Sequence, residues 1–148
     1  MHKAFTFHLL ALLLLVTAGC GSSDPVDTGD DFDVTGTWTG TLFIDTGEGL
    51  EGGEVSFHLT QNASAVSGTQ TDPDDDNGTL SGSINGNTLT LEWRTNDTHP
   101  DCVVFNVSMV FAVTSTAMDM TGASGRLCDG GGDGPNLVTG GNGRLIKQ

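Results

Sequence analysis

The chain has 148 residues, and its 19 acidic side chains far outnumber its five Lys and Arg side chains, so its formal net charge is −14. A surface this negative repels phosphate, which excludes nucleic acid as a partner and leaves the protein surface without attraction for anionic lipid headgroups. The length suits one domain of ordinary size behind a leader segment.

The beginning of the chain has the three parts of a secretory signal. Lys3 supplies positive charge, residues 9–16 are uninterrupted apolar, and Ala18 and Gly19 are the small residues that cleavage requires. A transmembrane helix needs about 20 apolar residues, and this apolar stretch is shorter and interrupted by Thr and His. We therefore predict that residues 1–19 are removed as a signal peptide rather than spanning a membrane.

The end of this signal, Thr17-Ala18-Gly19-Cys20, resembles the lipobox of bacterial lipoproteins. In that family the Cys becomes the first residue of the mature protein and its thiol carries a diacylglycerol. The resemblance therefore implies a lipid on Cys20 and a location in the cell envelope, although the family most often has Leu where this chain has Thr17. Gly21, which stands where inner-membrane lipoproteins have Asp, favours the outer membrane by analogy with Gram-negative sorting. An ordinary secretory signal with an incidental Cys is the alternative.

Residues 20–33 are predicted to be the lipidated Cys and a flexible acidic tether. From Gly21 to Asp33 there are five Asp and only two apolar residues, Val26 and Phe32. Such a segment buries too little apolar surface to offset the entropy lost on ordering it. We expect the protein to contact the membrane through the lipid alone and to be a monomer.

Residues 34–148 have the period-two alternation of a single β domain. In residues 37–44, for example, Trp38, Leu42 and Ile44 share one phase, as in a half-buried strand. Asn85-Gly86 is a strong hairpin signal between two such runs. The run 103–113 is apolar on both phases, which predicts a strand covered on both faces. The predicted strands are 37–44, 54–60, 65–70, 80–84, 89–93, 103–113, 117–127 and 136–146.

Glycines recur within these strands, each in an apolar, hydroxyl, Gly, small order, at Gly36, Gly68, Gly82, Gly122 and Gly140. Glycine weakens a strand but permits the sharp bend or close backbone approach that a closing sheet requires. We therefore predict an all-β fold, a single up-and-down antiparallel barrel of about eight strands, which has no exposed edge. A β-sandwich is the alternative, because alternation does not distinguish closure from stacking.

At the start of the first strand, Gly36-Thr37-Trp38 resembles the Gly-x-Trp opening of lipocalin-like barrels. The resemblance implies an eight-stranded cup that binds small apolar molecules. It also implies that Trp38 packs at the closed end of the barrel, beneath an Arg that comes from near the end of the barrel sequence. Arg144 would be that Arg. In the alternative interpretation, Trp38 is only a core anchor of the first strand.

Two functions compete for such a barrel. In the first, which the modest chain length favours, the interior is filled and the domain is a structural or protein-interaction module that meets another envelope component. In the second, the interior carries a small apolar ligand, and a cavity of about 300 Å³ or more would favour it. For the second function, the side chains predicted to line the interior are Trp38, Phe57, Leu91, Trp93 and Met120. If the opposite phase of the strands faces inward, the residues of that phase line it instead.

The remaining thiols and the acidic loops suggest two further features. Cys102 and Cys128 are predicted to form a disulfide, because a domain outside the cytoplasm should pair its cysteines. Asp72, Asp74 and Asp76 alternate as in the opening of an EF-hand loop, but the sharp-turn Gly and the closing Glu of that motif are missing. The alternatives are weak Ca²⁺ binding and a solvated turn, and we expect no other cofactor.

Catalysis has little support in the sequence. Once the signal is removed, His58 and His99 are the only residues with near-neutral side-chain bases, and both are predicted to lie at the surface. The chain has no nucleophile elbow, zinc-protease motif or phosphate-binding loop. We therefore predict that the protein is not an enzyme.

Overall fold

The computed structural model describes residues 32–73, 77–95, 106–127 and 136–148, and these form nine β-strands and no helix. The strands are β1 (Gly36–Asp45), β2 (Leu50–Asn62), β3 (Ala65–Thr71), β4 (Gly78–Asn85), β5 (Thr88–Thr95), β6 (Asn106–Val113), β7 (Ala117–Leu127), β8 (Asn136–Val138) and β9 (Gly140–Lys147). Within the described ranges, no helix has the length and apolarity needed to cross a bilayer.

Eight of the strands close into an antiparallel barrel. Each strand from β1 to β7 pairs with the next, β7 also pairs with β9, and β9 returns to pair with β1 from Trp38↔Lys147 to Asp45↔Gly140. The short β8 lies outside this circuit, against the end of β7. The predicted all-β up-and-down barrel is confirmed. The sandwich alternative is wrong, because the first and last strands of the circuit pair directly.

The alternating apolar residues meet inside the barrel and form one core. The fully buried side chains include Trp38, Phe57 and Phe111, whose neighbours come from every barrel strand. The rings of Phe57 and Phe111 pack edge to face, with their centroids 6.1 Å apart. The predicted double coverage of the run 103–113 is wrong for its described part, β6. Val110 and Ala112 face outward and are only half-buried, because the barrel wall is a single layer.

Two of the recurrent glycines explain how the wall curves. A Cβ on Gly68 would overlap the carbonyl oxygen of His58, and one on Gly82 would overlap that of Thr90, both on the neighbouring strand. Only glycine permits backbones to approach so closely. The pattern is not uniform, however, since a Cβ on Gly122 would meet no atom within 4 Å.

A β-bulge in β7 changes which of its residues face inward. Val110 pairs with Gly122 but Phe111 pairs with Met120, so Thr121 is an extra residue in β7. Its hydroxyl donates a hydrogen bond to the carbonyl oxygen of Val110 at 3.2 Å. In a regular strand, Met120 and Ala123 would face opposite sides of the wall, because they lie an odd number of positions apart. The extra residue turns both side chains to the barrel interior, where both are buried.

Candidate functional site

The segment before β1 closes one end of the barrel. The indole Nε1 of Trp38 donates to the carbonyl oxygen of Val34 at 2.8 Å, and the backbone N–H of Val34 donates to Oε1 of Gln61 at 2.9 Å. Val34 itself is fully buried. The N–H of Thr35 donates to Oδ1 of Asp33 at 2.8 Å. Hydrogen bonds from the side chain and backbone of Thr35 hold the pKa of Asp33 below its ordinary value, and the charge of Lys147 lowers it further.

Lys147, rather than Arg144, supplies the cation beside Trp38. Its Nζ lies 5.3 Å from the centroid of the Trp38 ring and donates to the carbonyl oxygen of Asp33 at 2.8 Å. Arg144 faces outward, with a largely exposed side chain 3.4 Å from Asp119. The prediction for Arg144 is therefore wrong. The physical reason is strand phase, since Leu145 faces inward and its neighbour Arg144 must then face outward.

The opposite end of the barrel contains a cavity of about 420 Å³. It lies where β1 and β3 end and β2 begins, so it is far along the barrel from Trp38. Its wall is mostly apolar, with a few polar and acidic side chains among the apolar ones. The apolar lining residues include Leu42, Phe57, Met109 and Met120, and the lining residues with polar groups include Glu51, Glu54, Gln70, Asp72 and Trp93.

A hydrogen-bonded chain of three side chains forms part of the cavity wall. The indole Nε1 of Trp93 donates to Oε1 of Gln70 at 2.6 Å, and Nε2 of Gln70 donates to Oδ2 of Asp72 at 3.2 Å. Gln70 is only 6% exposed, and it is one of two buried polar residues in the described chain. A Cβ on Gly78 would overlap the indole nitrogen of Trp93, so this glycine makes room for the ring. These hydrogen bonds orient the Trp93 ring and satisfy the buried side-chain amide of Gln70.

Carboxylates lie on one side of the entrance of the cavity, on β2 and directly after its neighbour β3. Glu51 is half-buried and lies on the same strand phase as Val55 and Phe57, which directs it inward. The hydroxyl of Thr46 donates to its Oε1 at 3.4 Å. Glu54 lines the same cavity from an exposed position, and Asp72 lies two residues beyond the buried Gln70. The site therefore combines an apolar interior with an acidic rim.

The five side chains predicted to face the interior all belong to the core or pack against it. Phe57, Trp93 and Met120 also line the cavity, whereas Trp38 lies at the closed end and Leu91 is buried elsewhere in the core. The sequence interpretation missed Gln70 and Glu51. Strand phase is the signal that could have found them, because each lies an even number of residues from an inward apolar side chain.

Several other predicted residues lie outside the described ranges. These are Cys20, the disulfide pair Cys102 and Cys128, the loop residues Asp74 and Asp76, and His99. Of the predicted calcium ligands, only Asp72 is described, and no three acidic, His or Cys side chains in the described ranges are placed to hold a metal ion. His58 is exposed on β2, with its Nδ1 3.1 Å from the hydroxyl of Thr37.

No protein-family model matches this chain, and no curated protein matches it in sequence.

Proposed function

We propose that the barrel binds a small apolar molecule in the cavity at its open end. The observation that carries this proposal is the cavity itself, because about 420 Å³ lies within the usual range of about 300 to 1,000 Å³ for ligand pockets. Its lining has the usual composition of such pockets, with apolar walls and a few fixed polar groups. The ligand would lie against Phe57, Met109 and Met120, with the amide of Gln70 beside it.

The alternative function, a structural or partner-binding module, draws less support from the described surface. A large contiguous apolar patch on the surface would indicate a protein-binding face. The large apolar side chains exposed on the described surface are Leu50, Leu137 and Ile146, and they lie on three different strands. Scattered apolar side chains of this kind are ordinary on a soluble surface.

The binding proposal is tested by filling the cavity from a position that tolerates it. Gly53 lines the cavity, and a Cβ built on it meets no atom within 4 Å, so Gly53→Leu projects a side chain into the empty space. Gly49→Leu is the matched control, because Gly49 lies in the exposed β1–β2 turn and its Cβ also meets no atom within 4 Å. Trp38→Phe in all proteins leaves Trp93 as the one fluorophore.

The probe is decanol, added to the full chain carrying Cys20→Ser. We expect a saturable change in Trp93 fluorescence, with the affinity lowered at least about tenfold by Gly53→Leu and unchanged by Gly49→Leu, since a filled pocket loses most of its apolar contact. A flat response in the parent protein, or equal binding to both variants, would overturn the proposal.

We also propose that the protein is anchored to the cell envelope, and to the outer membrane where there is one, through a lipid on Cys20. The support is the lipobox resemblance at residues 17–20 and the acidic tether that follows. The described chain begins at Phe32, beside the closed end of the barrel.

Metabolic labelling with an alkyne analogue of palmitate tests the anchor. We expect the parent protein and Gly21→Ser to be labelled and Cys20→Ser to be unlabelled, because in the lipobox family the thiol accepts the diacylglyceryl group and with it the labelled acyl chains. Gly21→Ser is the matched control, since it introduces the same residue next to the acceptor. Labelling of Cys20→Ser at the level of the parent protein would contradict the lipobox interpretation.

A further inference from the structure

We infer that the cavity selects a cationic amphiphile, a molecule with an apolar tail and a positively charged head, over neutral or anionic molecules with the same tail. This inference rests on the proposed binding function and adds the charge of the ligand to it. The observation behind it is that every ionisable side chain among the described residues lining the cavity is a carboxylate: Glu51, Glu54 and Asp72.

The carboxylates lie where the head of a bound amphiphile would be. The apolar side chains deeper in the cavity, such as Phe57 and Met109, offer contacts to a tail and none to a charge. Glu51 points inward at the entrance, where it is partly removed from water. A tail placed against Phe57 therefore puts its head near Glu51 on β2 and Asp72, which directly follows the neighbouring strand β3. Partial burial strengthens the interaction between such charges relative to bulk water.

None of the cations of the described chain lines the cavity, and the two that adjoin lining residues, Arg94 and Arg126, have exposed side chains on the outer phase of their strands. Lys147 lies on Trp38 at the closed end, Arg144 pairs with Asp119, and Nη2 of Arg94 lies 3.6 Å from Glu92 outside the barrel. Arg126 is exposed on β7 and does not line the cavity. Among the described lining residues, an anionic head would thus meet carboxylates and no Lys or Arg side chain, whereas a cationic head is attracted by each carboxylate.

The magnitude follows from the exposure of the carboxylates. A solvent-accessible pair of opposite charges changes an equilibrium by about two- to fivefold. Two or three carboxylates acting together then favour the cation over the anion by at least about tenfold in affinity. Because salt screens charges separated by more than about 8 to 10 Å at physiological ionic strength, this preference should shrink on going from low to high salt.

The test compares three probes with one tail: decyltrimethylammonium, decanol and decanoate. Each is titrated into the full chain carrying Cys20→Ser and Trp38→Phe, below its micelle concentration, with Trp93 fluorescence as the readout. We expect affinity to fall in that order, with at least about a tenfold difference between cation and anion. Glu51→Gln should reduce this difference, measured as the ratio of the affinities for cation and anion in the same variant, by about two- to fivefold.

Glu92→Gln is the matched control, because it removes the same charge from an exposed position outside the cavity. It should leave the cation preference unchanged, which separates a local effect from that of the whole negative chain. Equal or tighter binding of decanoate, or equal effects of the two substitutions, would overturn the inference while leaving the binding function intact. Failure of all three probes, decanol included, would overturn the binding function itself.

Discussion

Replacing Lys147 by Met tests whether the closed end of the barrel depends on a cation over Trp38. Met keeps an unbranched apolar side chain against the ring but removes the ammonium group. The change therefore deletes the cation–π contact at 5.3 Å and the 2.8 Å hydrogen bond to the carbonyl oxygen of Asp33. The backbone pairing of β9 with β1 is unaffected, because Lys147 contributes to it only through its main chain.

The expected cost is the sum of these two interactions. A cation–π contact near the surface contributes about 0.5 to 1 kcal/mol, and an exposed hydrogen bond contributes about 1 kcal/mol. Lys147→Met should thus lower the free energy of unfolding by about 1.5 to 2 kcal/mol. The matched control is Arg144→Met on the same strand. It removes an exposed ion pair with Asp119, which contributes about 0.5 kcal/mol or less.

Urea unfolding followed by circular dichroism measures both variants. The difference of more than about 1 kcal/mol between them corresponds to roughly 4 °C in melting temperature for a domain of this size. A double-mutant cycle with Trp38→Leu, which removes the aromatic face, isolates the cation–π contribution from that of the hydrogen bond. If Arg144→Met costs as much as Lys147→Met, the assignment of the cation to Lys147 is refuted.

Two further predictions concern the wall and the closed end. Gly82→Ala should lower the free energy of unfolding by about 2 to 3 kcal/mol, because the added Cβ overlaps a carbonyl oxygen of β5. Gly122→Ala is the control and should change the free energy of unfolding by less than about 1 kcal/mol. Similar urea midpoints for the two variants would contradict the close approach of β4 and β5 at Gly82. The pKa of Asp33 is lower in the folded state than in the unfolded state. Its negative charge therefore stabilises the fold fully above the unfolded-state pKa, and this stabilisation is lost as the pH falls through the folded-state pKa. Below about pH 4 the parent protein should therefore lose stability more steeply than Asp33→Asn, and identical acid profiles would argue against this.

Most of the barrel could be predicted from the sequence because its strands alternate strictly. The Asn85-Gly86 hairpin lies between β4 and β5 as expected, and Gly86 has a left-handed φ of 57°. The predicted strand 54–60 was too short, since β2 begins at Leu50. After Leu50, residues 51–54 of β2 are acidic or glycine, so they carry no apolar alternation although they pair fully with β1.

The features that sequence alone did not predict depend on contacts between strands. The bulge at Thr121 is one, because an extra residue is defined only by comparison with the partner strand β6. The break of the predicted strand 136–146 at Thr139 is another. There the N–H of Thr139 donates to the carbonyl oxygen of Asp45 at 2.9 Å, and the chain passes from β8 to β9.

The cavity itself shows why chain length was a poor guide to the interior. Length suggested a filled barrel, but the volume of the inward side chains differs between the two ends. Near the closed end these side chains are large, as with Trp38 and Phe111. Near the open end Gly53 takes an inward position that lines the cavity, and a Cβ built on it meets no atom within 4 Å. This position could have carried an apolar side chain but leaves space instead, and an acidic residue, Glu51, takes the next inward position of β2. Reading side-chain volume along each inward phase, level by level, would have predicted both the cavity and its acidic entrance.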